Sequence, residues 1–115
     1  MNAGKLNAYV EIQKPVESTL DAHGGVARTW TRVAERWAHI RPLTAREILE
    51  AQRIVERATT MIEMEWDPDL KNVDATYRIY WRQPRDRTRT YEILAVINPD
   101  ELDFDLQFLC VETGP

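Results

Sequence analysis

Six segments of the chain have the character of β-strands, and the period-two alternation of apolar and polar side chains in several of them limits the possible folds more than any other feature. Ala8, Val10 and Ile12 alternate with polar neighbours. The same pattern recurs at residues 60–66 and 75–81, and residues 30–40, 91–96 and 104–111 are further strand segments. Such alternation is typical of strands with one buried face. Turns rather than regular helices separate the segments, which predicts a mainly β fold with antiparallel pairing, either a small barrel of about six strands or a compact sandwich.

The strand pattern also predicts where the first strands end and which side chains form the core. Pro15 is expected to end the first strand and Pro42 the second, because proline cannot donate to the strand ladder. The polar segment 17–29 contains Gly24 and Gly25 and is expected to form a flexible turn or hairpin tip. The predicted barrel core consists of Val10, Ile12, Trp37, Ile62, Met64, Ile79, Ile93 and Phe108.

One short helix is predicted between the second and third strands. Thr44 and Glu47 have the spacing of a capping box, in which each side chain accepts a bond from an otherwise unpaired backbone N–H. An apolar stripe follows at helical spacing, formed by Ala45, Ile48, Leu49, Gln52 and Val55. A helix of about three turns is marginal in water by itself, so it must lean on the domain or on another copy.

The length of 115 residues predicts a single domain over residues 1–115, because a chain of this size forms one hydrophobic core. The single Cys110 excludes an intramolecular disulfide and lies in the apolar run LQFLCV, where a buried packing thiol is expected. The N-terminal residues lack the apolar region of a signal peptide, and no apolar run approaches the ~20 residues that span a bilayer. The sequence therefore predicts a protein of a reducing, aqueous compartment, without a membrane segment.

No group of residues has the pattern of a catalytic, cofactor or metal site. Asp67, Asp69 and Asp74 lie in a turn without the glycine and distal glutamate of a calcium loop, so a solvated acidic turn is expected. Glu63 and Glu65 share one strand face, so their carboxylates could meet as the two acids of a glycosidase do. Nothing places them in a cleft, and acidic residues are common on strand faces that meet water. His23 and His39 are the only histidines, and neither has neighbours that would complete a triad with Cys110.

The segment 82–89 is the one nucleic-acid signal, because it contains Arg82, Arg85, Arg87 and Arg89. A net charge of −4 and a pI near 5.2 disfavour a dedicated phosphate binder. A charged hairpin or a subunit interface fits the segment better, since arginine is enriched at protein interfaces.

A set of motifs follows one another in a fixed order along residues 6–112. They are AYVEIQKPV, DAHGGV followed by RTWTRVAERWAHIRPL, AREILEAQ, TTMIEMEW, YRIYW, TYEILAVINPD and LQFLCVE. The glycine pair, the W-x-x-V-x-x-x-W-A run and the later YEILAVINP are fairly specific together. This order of motifs resembles the phage head-tail joining family, the head-closure or stopper proteins of tailed phages and gene transfer agents.

The resemblance implies a structural virion protein at the head-tail interface, synthesised in the bacterial cytoplasm, without catalytic residues, cofactor or metal. Its partners would be the portal-adaptor ring and tail proteins. It would form a homo-oligomeric ring of six or twelve copies around DNA that passes without specific binding. Segment 43–57 would face the lumen, with Thr44, Arg46, Glu47, Glu50, Arg53 and Arg57 as candidate gate residues. The candidate interface residues are His23, Gly24, Gly25, Arg82, Arg85, Arg87 and Arg89.

Two other functions remain open at this point. A tail-completion or tail-terminator protein is structurally close to the head-closure proteins. A small β-barrel that binds nucleic acid would use segment 82–89 together with an exposed aromatic side chain such as Tyr80. An enzyme is the least favoured class, because no acid/base pair or metal cluster emerges.

Overall fold

Six antiparallel strands close into a barrel, and one helix lies between the second and third strands. The computed structural model describes residues 6–20, 26–53, 56–82, 88–98 and 104–114. The strands are β1 (Ala8–Leu20), β2 (Val26–Pro42), β3 (Thr60–Glu65), β4 (Arg78–Arg82), β5 (Thr88–Ile97) and β6 (Asp105–Gly114), and the helix is α1 (Ala45–Gln52). Around the barrel the order is β1-β2-β3-β6-β5-β4, and β4 pairs back onto β1. The predicted fold is confirmed as a barrel rather than a sandwich.

The barrel interior is filled by alternate residues of every strand. Seven of the eight predicted core side chains are buried, namely Val10, Ile12, Ile62, Met64, Ile79, Ile93 and Phe108. Cys110 is buried beside them, and its thiol donates to the Phe108 carbonyl oxygen at 3.6 Å, as expected for a packing cysteine. Strand pairing places Ile12 opposite Ile79 and Ile62 opposite Phe108, so large side chains from four strands meet inside.

The prediction that Trp37 belongs to the core is wrong. Among the described side chains of β2, Ala34 and Ala38 are the buried ones, and Trp37 is 55% exposed on the outer face. Both faces of β2 carry apolar residues, so the larger side chains suggested the wrong face. The small alanines suit the interior because Phe108, Ile62 and Met64 already fill it.

Pro15 does not end the first strand, because β1 continues to Leu20 and remains paired with β2. In the part of the chain that the structure describes, β1 pairs with β4 only from Glu11 to Gln13. Beyond Gln13 only β2 is paired with it, and proline is tolerated on such an edge. The polar segment predicted as a loop is therefore largely a two-stranded hairpin that extends past the barrel. Residues 21–25, at its turn, lie outside the described residues.

Two other element boundaries differ from the sequence prediction. The fourth strand begins at Arg78 rather than at residue 75, and the acidic turn before the strand contains a short 3-10 helix at Pro68–Leu70. Helix α1 ends at Gln52, which makes it shorter than predicted, and Val55 lies outside the described residues.

A second apolar cluster lies on the outside of the barrel, under α1. It contains the buried residues Leu43, Ala51, Ala58, Met61 and Leu109. Ile48 of α1 packs against it, as do the outward-facing residues Leu94, Ala95 and Ile97 of β5. The helix thus covers the outer face of β3, β6 and β5, and the expectation that it must lean on the domain is confirmed.

Candidate functional site

Helix α1 is tied to the barrel by one arginine. Arg41, near the end of β2, donates from Nη1 and Nη2 to the two carboxylate oxygens of Glu47, at 2.7 and 2.9 Å. Its Nε donates to Glu63 Oε1 on β3 at 3.0 Å. The capping box is confirmed, since the Glu47 backbone N–H donates to Thr44 Oγ1 and the Thr44 backbone N–H donates to Glu47 Oε1. One glutamate therefore both starts the helix and attaches it to the barrel.

These contacts keep Glu47 ionised. Hydrogen bonds from Arg41 and from the Thr44 backbone lower the pKa of Glu47 to about 2. Hydrogen bonds to Glu47 and Glu63 raise the pKa of Arg41, although the partial burial of its side chain acts in the opposite direction. The fork of the guanidinium matches the carboxylate in a bidentate pair, which is stronger than a single neutral hydrogen bond. The base of the predicted gate segment is thus held in a fixed position.

The opposite face of α1 is open. Leu49 is 69% exposed, and Arg46 and Glu50 form an ion pair of 3.2 Å that is itself largely exposed. Arg53 lies at the C-cap and is exposed, and Arg57 Nη2 donates to Glu92 Oε1 on β5 at 3.0 Å. The candidate gate residues therefore form two groups: Thr44, Glu47 and Arg57 hold the segment in place, whereas Arg46, Glu50 and Arg53 are displayed on its surface.

Five of the seven candidate interface residues lie outside the described residues, namely His23, Gly24, Gly25, Arg85 and Arg87. Arg82 is exposed at the end of β4.

Arg89 of β5 lies with its guanidinium carbon 5.9 Å from the centre of the Trp81 ring. Its Nε is 3.7 Å from Glu112 Oε1. Part of the positive charge in the arginine-rich segment is therefore already compensated within the chain.

An aromatic pair lies on the outer face of β1 and β2, and one of its members is Trp37, which was predicted to lie in the core. Tyr9 and Trp37 are cross-strand partners, with ring centroids 5.3 Å apart and an interplanar angle of 62°. The Tyr9 hydroxyl donates to Glu35 Oε2 at 3.2 Å, and this bond raises the pKa of Tyr9. Because both faces of β2 carry apolar side chains, the sequence offered no signal that would have assigned Trp37 to the outside. Tyr80, the aromatic proposed for base stacking, is half-buried.

A cleft of about 740 Å³ opens on the outer face of the barrel, between the extended hairpin and strands β4 and β5. Its lining includes Pro15, Trp30, Tyr77, Arg78 and Thr113. The Arg78 guanidinium carbon lies 4.2 Å from the centre of the Trp30 ring, and its Nε donates to Gln13 Oε1 at 2.6 Å. Partial burial lowers the pKa of Arg78. Sequence analysis did not identify this cleft.

The described residues contain no arrangement typical of a metal or reaction centre. No three His, Cys, Asp or Glu side chains among them lie close enough to hold a metal ion. Asp67 caps the 3-10 helix by accepting from the Asp69 backbone N–H at 2.8 Å, and Arg36 pairs with both aspartates. Burial raises the pKa of the Cys110 thiol, the opposite of what a nucleophile needs. No helix in the described part of the chain has the length and apolar character needed to cross a membrane.

A closed barrel by itself does not define a function, since one fold hosts many functions. The chain belongs to the phage head completion protein family, whose model matches residues 1–113. This confirms the resemblance inferred from the sequence motifs, and it gives the chain a structural role in completing the phage head, as a component of the virion. The family is not an enzyme type.

Two solved structures are similar to the chain over nearly its whole length. Protein SF1141 from Shigella flexneri 2a, determined in solution, is 26% identical, with a TM-score of 0.72 over 98% of this chain and 97% of that one. A chain in the virion of a native gene transfer agent particle is 19% identical, with a TM-score of 0.55 over 96% of this chain and 97% of that one, and shares the fold. No curated protein matches the sequence significantly.

Proposed function

We propose that the protein is a head-closure component that assembles into a ring between the portal-adaptor complex and the tail, where it continues and closes the DNA channel. Its family role in head completion supports this function. The observation that carries the proposal is the two-sided character of α1. One side is fixed to the barrel through Ala51 and Glu47, and the other presents Arg46, Leu49 and Arg53 to the surroundings.

Such an element suits a channel lumen. An eight-residue helix gains little stability from its own backbone bonds, so its position depends on the Arg41 contact and on the second cluster. It can therefore hold a defined position and still move when the packing beneath it changes. In the proposed ring the exposed face of α1 projects toward the DNA path, and segment 43–57 closes the path after packaging.

The charge of the chain fits a conduit. A protein that lets DNA pass must not grip it, and a net charge of −4 opposes tight phosphate binding along the wall. The exposed cations of α1 are balanced in part by Glu50, and Arg57 is balanced by Glu92. A closed ring needs heterologous contacts, in which two different surfaces of one copy meet those of its neighbours.

The test is a triple substitution on the exposed face of α1, Arg46→Ala, Leu49→Ala and Arg53→Ala. Alanine has the highest helix propensity, and these side chains are exposed, so the fold is expected to persist. Particles built with this variant should retain less DNA before tail attachment, while heads still join tails. The measurements are the packaged DNA per particle and the fraction of joined particles.

A matched control replaces three exposed residues elsewhere, Glu65→Ala, Lys71→Ala and Asn72→Ala, and should change neither measurement. If the α1 variant retained DNA but failed to join tails, the helix would be a docking surface rather than a gate. If it behaved like the control in both measurements, the lumen assignment would be wrong.

A further inference from the structure

The cleft between the extended hairpin and β4 exists because β2 contains a bulge. Ile12 pairs with Ala34, but the next residue, Gln13, pairs with Arg32, so Val33 is the extra residue. Bulges bend a strand and re-aim the residues that follow. Here the hairpin continues past the barrel with Pro15 opposite Trp30, and the Trp30 ring lies against the guanidinium of Arg78 on β4. The cleft is thus built from strands that are distant in sequence.

Among the arginines whose side chains the structure describes, Arg78 combines partial burial with the lack of an acidic partner. Arg32, Arg36, Arg41, Arg46, Arg57 and Arg89 each have a nitrogen within 3.7 Å of a carboxylate oxygen. Arg78 is half-buried and has no carboxylate within that distance among the described residues, where Gln13 and the Trp30 ring are its partners. Within the described parts of the chain Arg53 and Arg82 also lack one, but both are exposed to water. A partly desolvated cation without a counter-ion is unfavourable unless a ligand supplies the negative charge.

A segment of the same chain has the matching chemistry. Phe104, just before β6, is 71% exposed although its backbone is fixed, because its carbonyl oxygen accepts from the Trp66 N–H at 2.8 Å. The sequence just before it, PDELD, contains Asp100, Glu101 and Asp103 and no basic residue. An aromatic side chain next to carboxylates fits a cleft that combines an arginine lacking an acidic partner with Pro15 and two aromatic rings.

We propose that the Arg78–Trp30 cleft of one copy receives the acidic, Phe104-bearing segment of a neighbouring copy. Phe104 is too far from the cleft of its own copy to occupy it. Phe104 precedes the first residue of β6 and Thr113 lines the cleft near its last, so the two sites are about 30 Å apart along a strand with a rise of ~3.3 Å per residue. The contact joins two different surfaces of the chain and is therefore heterologous, as ring formation requires.

A nucleic-acid phosphate fits the cleft less well. The second cation near it, Arg57, is already paired with Glu92, and Glu92 itself lines the cleft. Binding of a DNA backbone needs several cations along its path, whereas this site offers one. A protein carboxylate with an adjacent aromatic ring satisfies both the charge and the apolar lining.

The test uses the full chain and a peptide of its own residues 99–107, acetylated and amidated so that only side-chain carboxylates are charged. As the peptide is added, two-dimensional NMR of the chain should show saturable chemical-shift changes at the cleft-lining residues. Arg78→Gln should weaken peptide binding about ten-fold or more, because a charge-assisted hydrogen bond contributes about 1.5–3 kcal/mol. Arg82→Gln, on the same strand but outside the cleft, is the matched control and should bind like the unmodified chain.

Two altered peptides separate the contributions of the ligand. Replacing Phe104 by alanine, or the four acids of the peptide by asparagine and glutamine, should each weaken binding. If Arg78→Gln does not fold, Arg78→Lys keeps the charge, loses the flat two-pronged contact and should still bind more weakly. The proposal is overturned if the Arg78 variant binds the peptide as tightly as Arg82→Gln does. It is also overturned if the neutral peptide binds as well as the acidic one, or if a short oligothymidine binds in the cleft more tightly than the acidic peptide.

This contact rests on the proposed ring, but its test does not depend on the DNA channel. Peptide binding is measured on the isolated chain, whereas the α1 variant is scored by DNA retention in particles. If the chain binds the peptide and the α1 variant retains DNA, the contact between copies is supported and the gate role of α1 is contradicted. If the chain does not bind the peptide and the α1 variant loses DNA, the gate role is supported and the contact is contradicted.

Discussion

Trp37 and Ile93 show how differently two large apolar side chains contribute to the same barrel wall. Ile93 is 1% exposed and packs among residues of several strands, so removing it would leave a cavity that the barrel cannot collapse around. Trp37 stands on the outer face, where its main partner is the edge of the Tyr9 ring. Trp37 therefore contributes to the outer surface of the barrel rather than to its core.

We predict that Ile93→Ala lowers the free energy of unfolding by about 2–5 kcal/mol, as is usual for truncation of a buried isoleucine. Trp37→Ala should lower it by about 1 kcal/mol, because an exposed ring loses mainly its aromatic contact. Urea unfolding of the two variants measures both values. Ile93→Val is the control and should cost about 0.5–1.5 kcal/mol. A loss at Trp37 equal to that at Ile93 would contradict the assignment of the β2 faces.

The limits of sequence analysis at this scale follow from what surrounds each strand. Period-two alternation identified the inward residues wherever the outer face is polar, as in β1 and β4. In β2 both faces carry apolar side chains, and alternation alone cannot tell Ala34 from Val33. In β3 both Ile62 and Met61 are buried, because α1 covers the outside of the strand. The sequence does not show which outer face a helix will cover.

At the scale of the elements, the connection between α1 and the barrel depends on a single charged pair above an apolar cluster. The capping box was predictable, because Thr44 and Glu47 are local in sequence. The second role of Glu47 was not, because Arg41 belongs to the preceding strand and reaches the helix only after Pro42 has turned the chain. The cleft around Arg78 was unpredictable for a similar reason, since its shape depends on the bulge at Val33.

We predict that the stabilising effect of Glu47 disappears in acid. The pKa of Glu47 in the folded state is about 2, below the ordinary value of 4.5, so its contribution is fully present above about pH 4.5 and is lost as the pH falls toward 2. Glu47→Gln should therefore lower the free energy of unfolding by about 1–3 kcal/mol near neutral pH, and the difference from the unmodified chain should shrink below pH 4.5. Urea unfolding at a series of pH values measures it.

Glu50→Gln is the matched control, because Glu50 lies one turn of helix further on and pairs with Arg46 on an exposed surface. Exposed pairs of this kind contribute roughly 0.2–0.5 kcal/mol. A Glu47→Gln difference that stayed constant down to pH 2.5 would show that the Arg41 contact does not depend on the glutamate charge. The attachment of α1 would then be due to the apolar cluster alone.

At the scale of the whole molecule, a closed barrel leaves its assembly role to its outer surfaces. Closure satisfies the backbone of the barrel strands, so contacts with neighbours must come from side chains and from the extended hairpin. These surfaces carry charges of both signs on a chain that is acidic overall, and most described arginines already have an acidic partner. The net charge could be calculated from the composition, but the pairing of arginines with acidic residues depends on the fold.

From this charge distribution we predict that the isolated protein binds duplex DNA weakly and with little dependence on salt. A dedicated binder that neutralises six to ten phosphates loses about 10³–10⁵ in affinity between roughly 50 and 200 mM salt. Fluorescence anisotropy with labelled duplex DNA should give a slope of log affinity against log salt that is close to zero. The double variant Arg82→Glu and Arg89→Glu tests the arginine-rich segment directly, and it should leave the weak signal unchanged. A steep slope that this variant abolishes would instead establish a nucleic-acid-binding barrel, because DNA would then be gripped rather than passed.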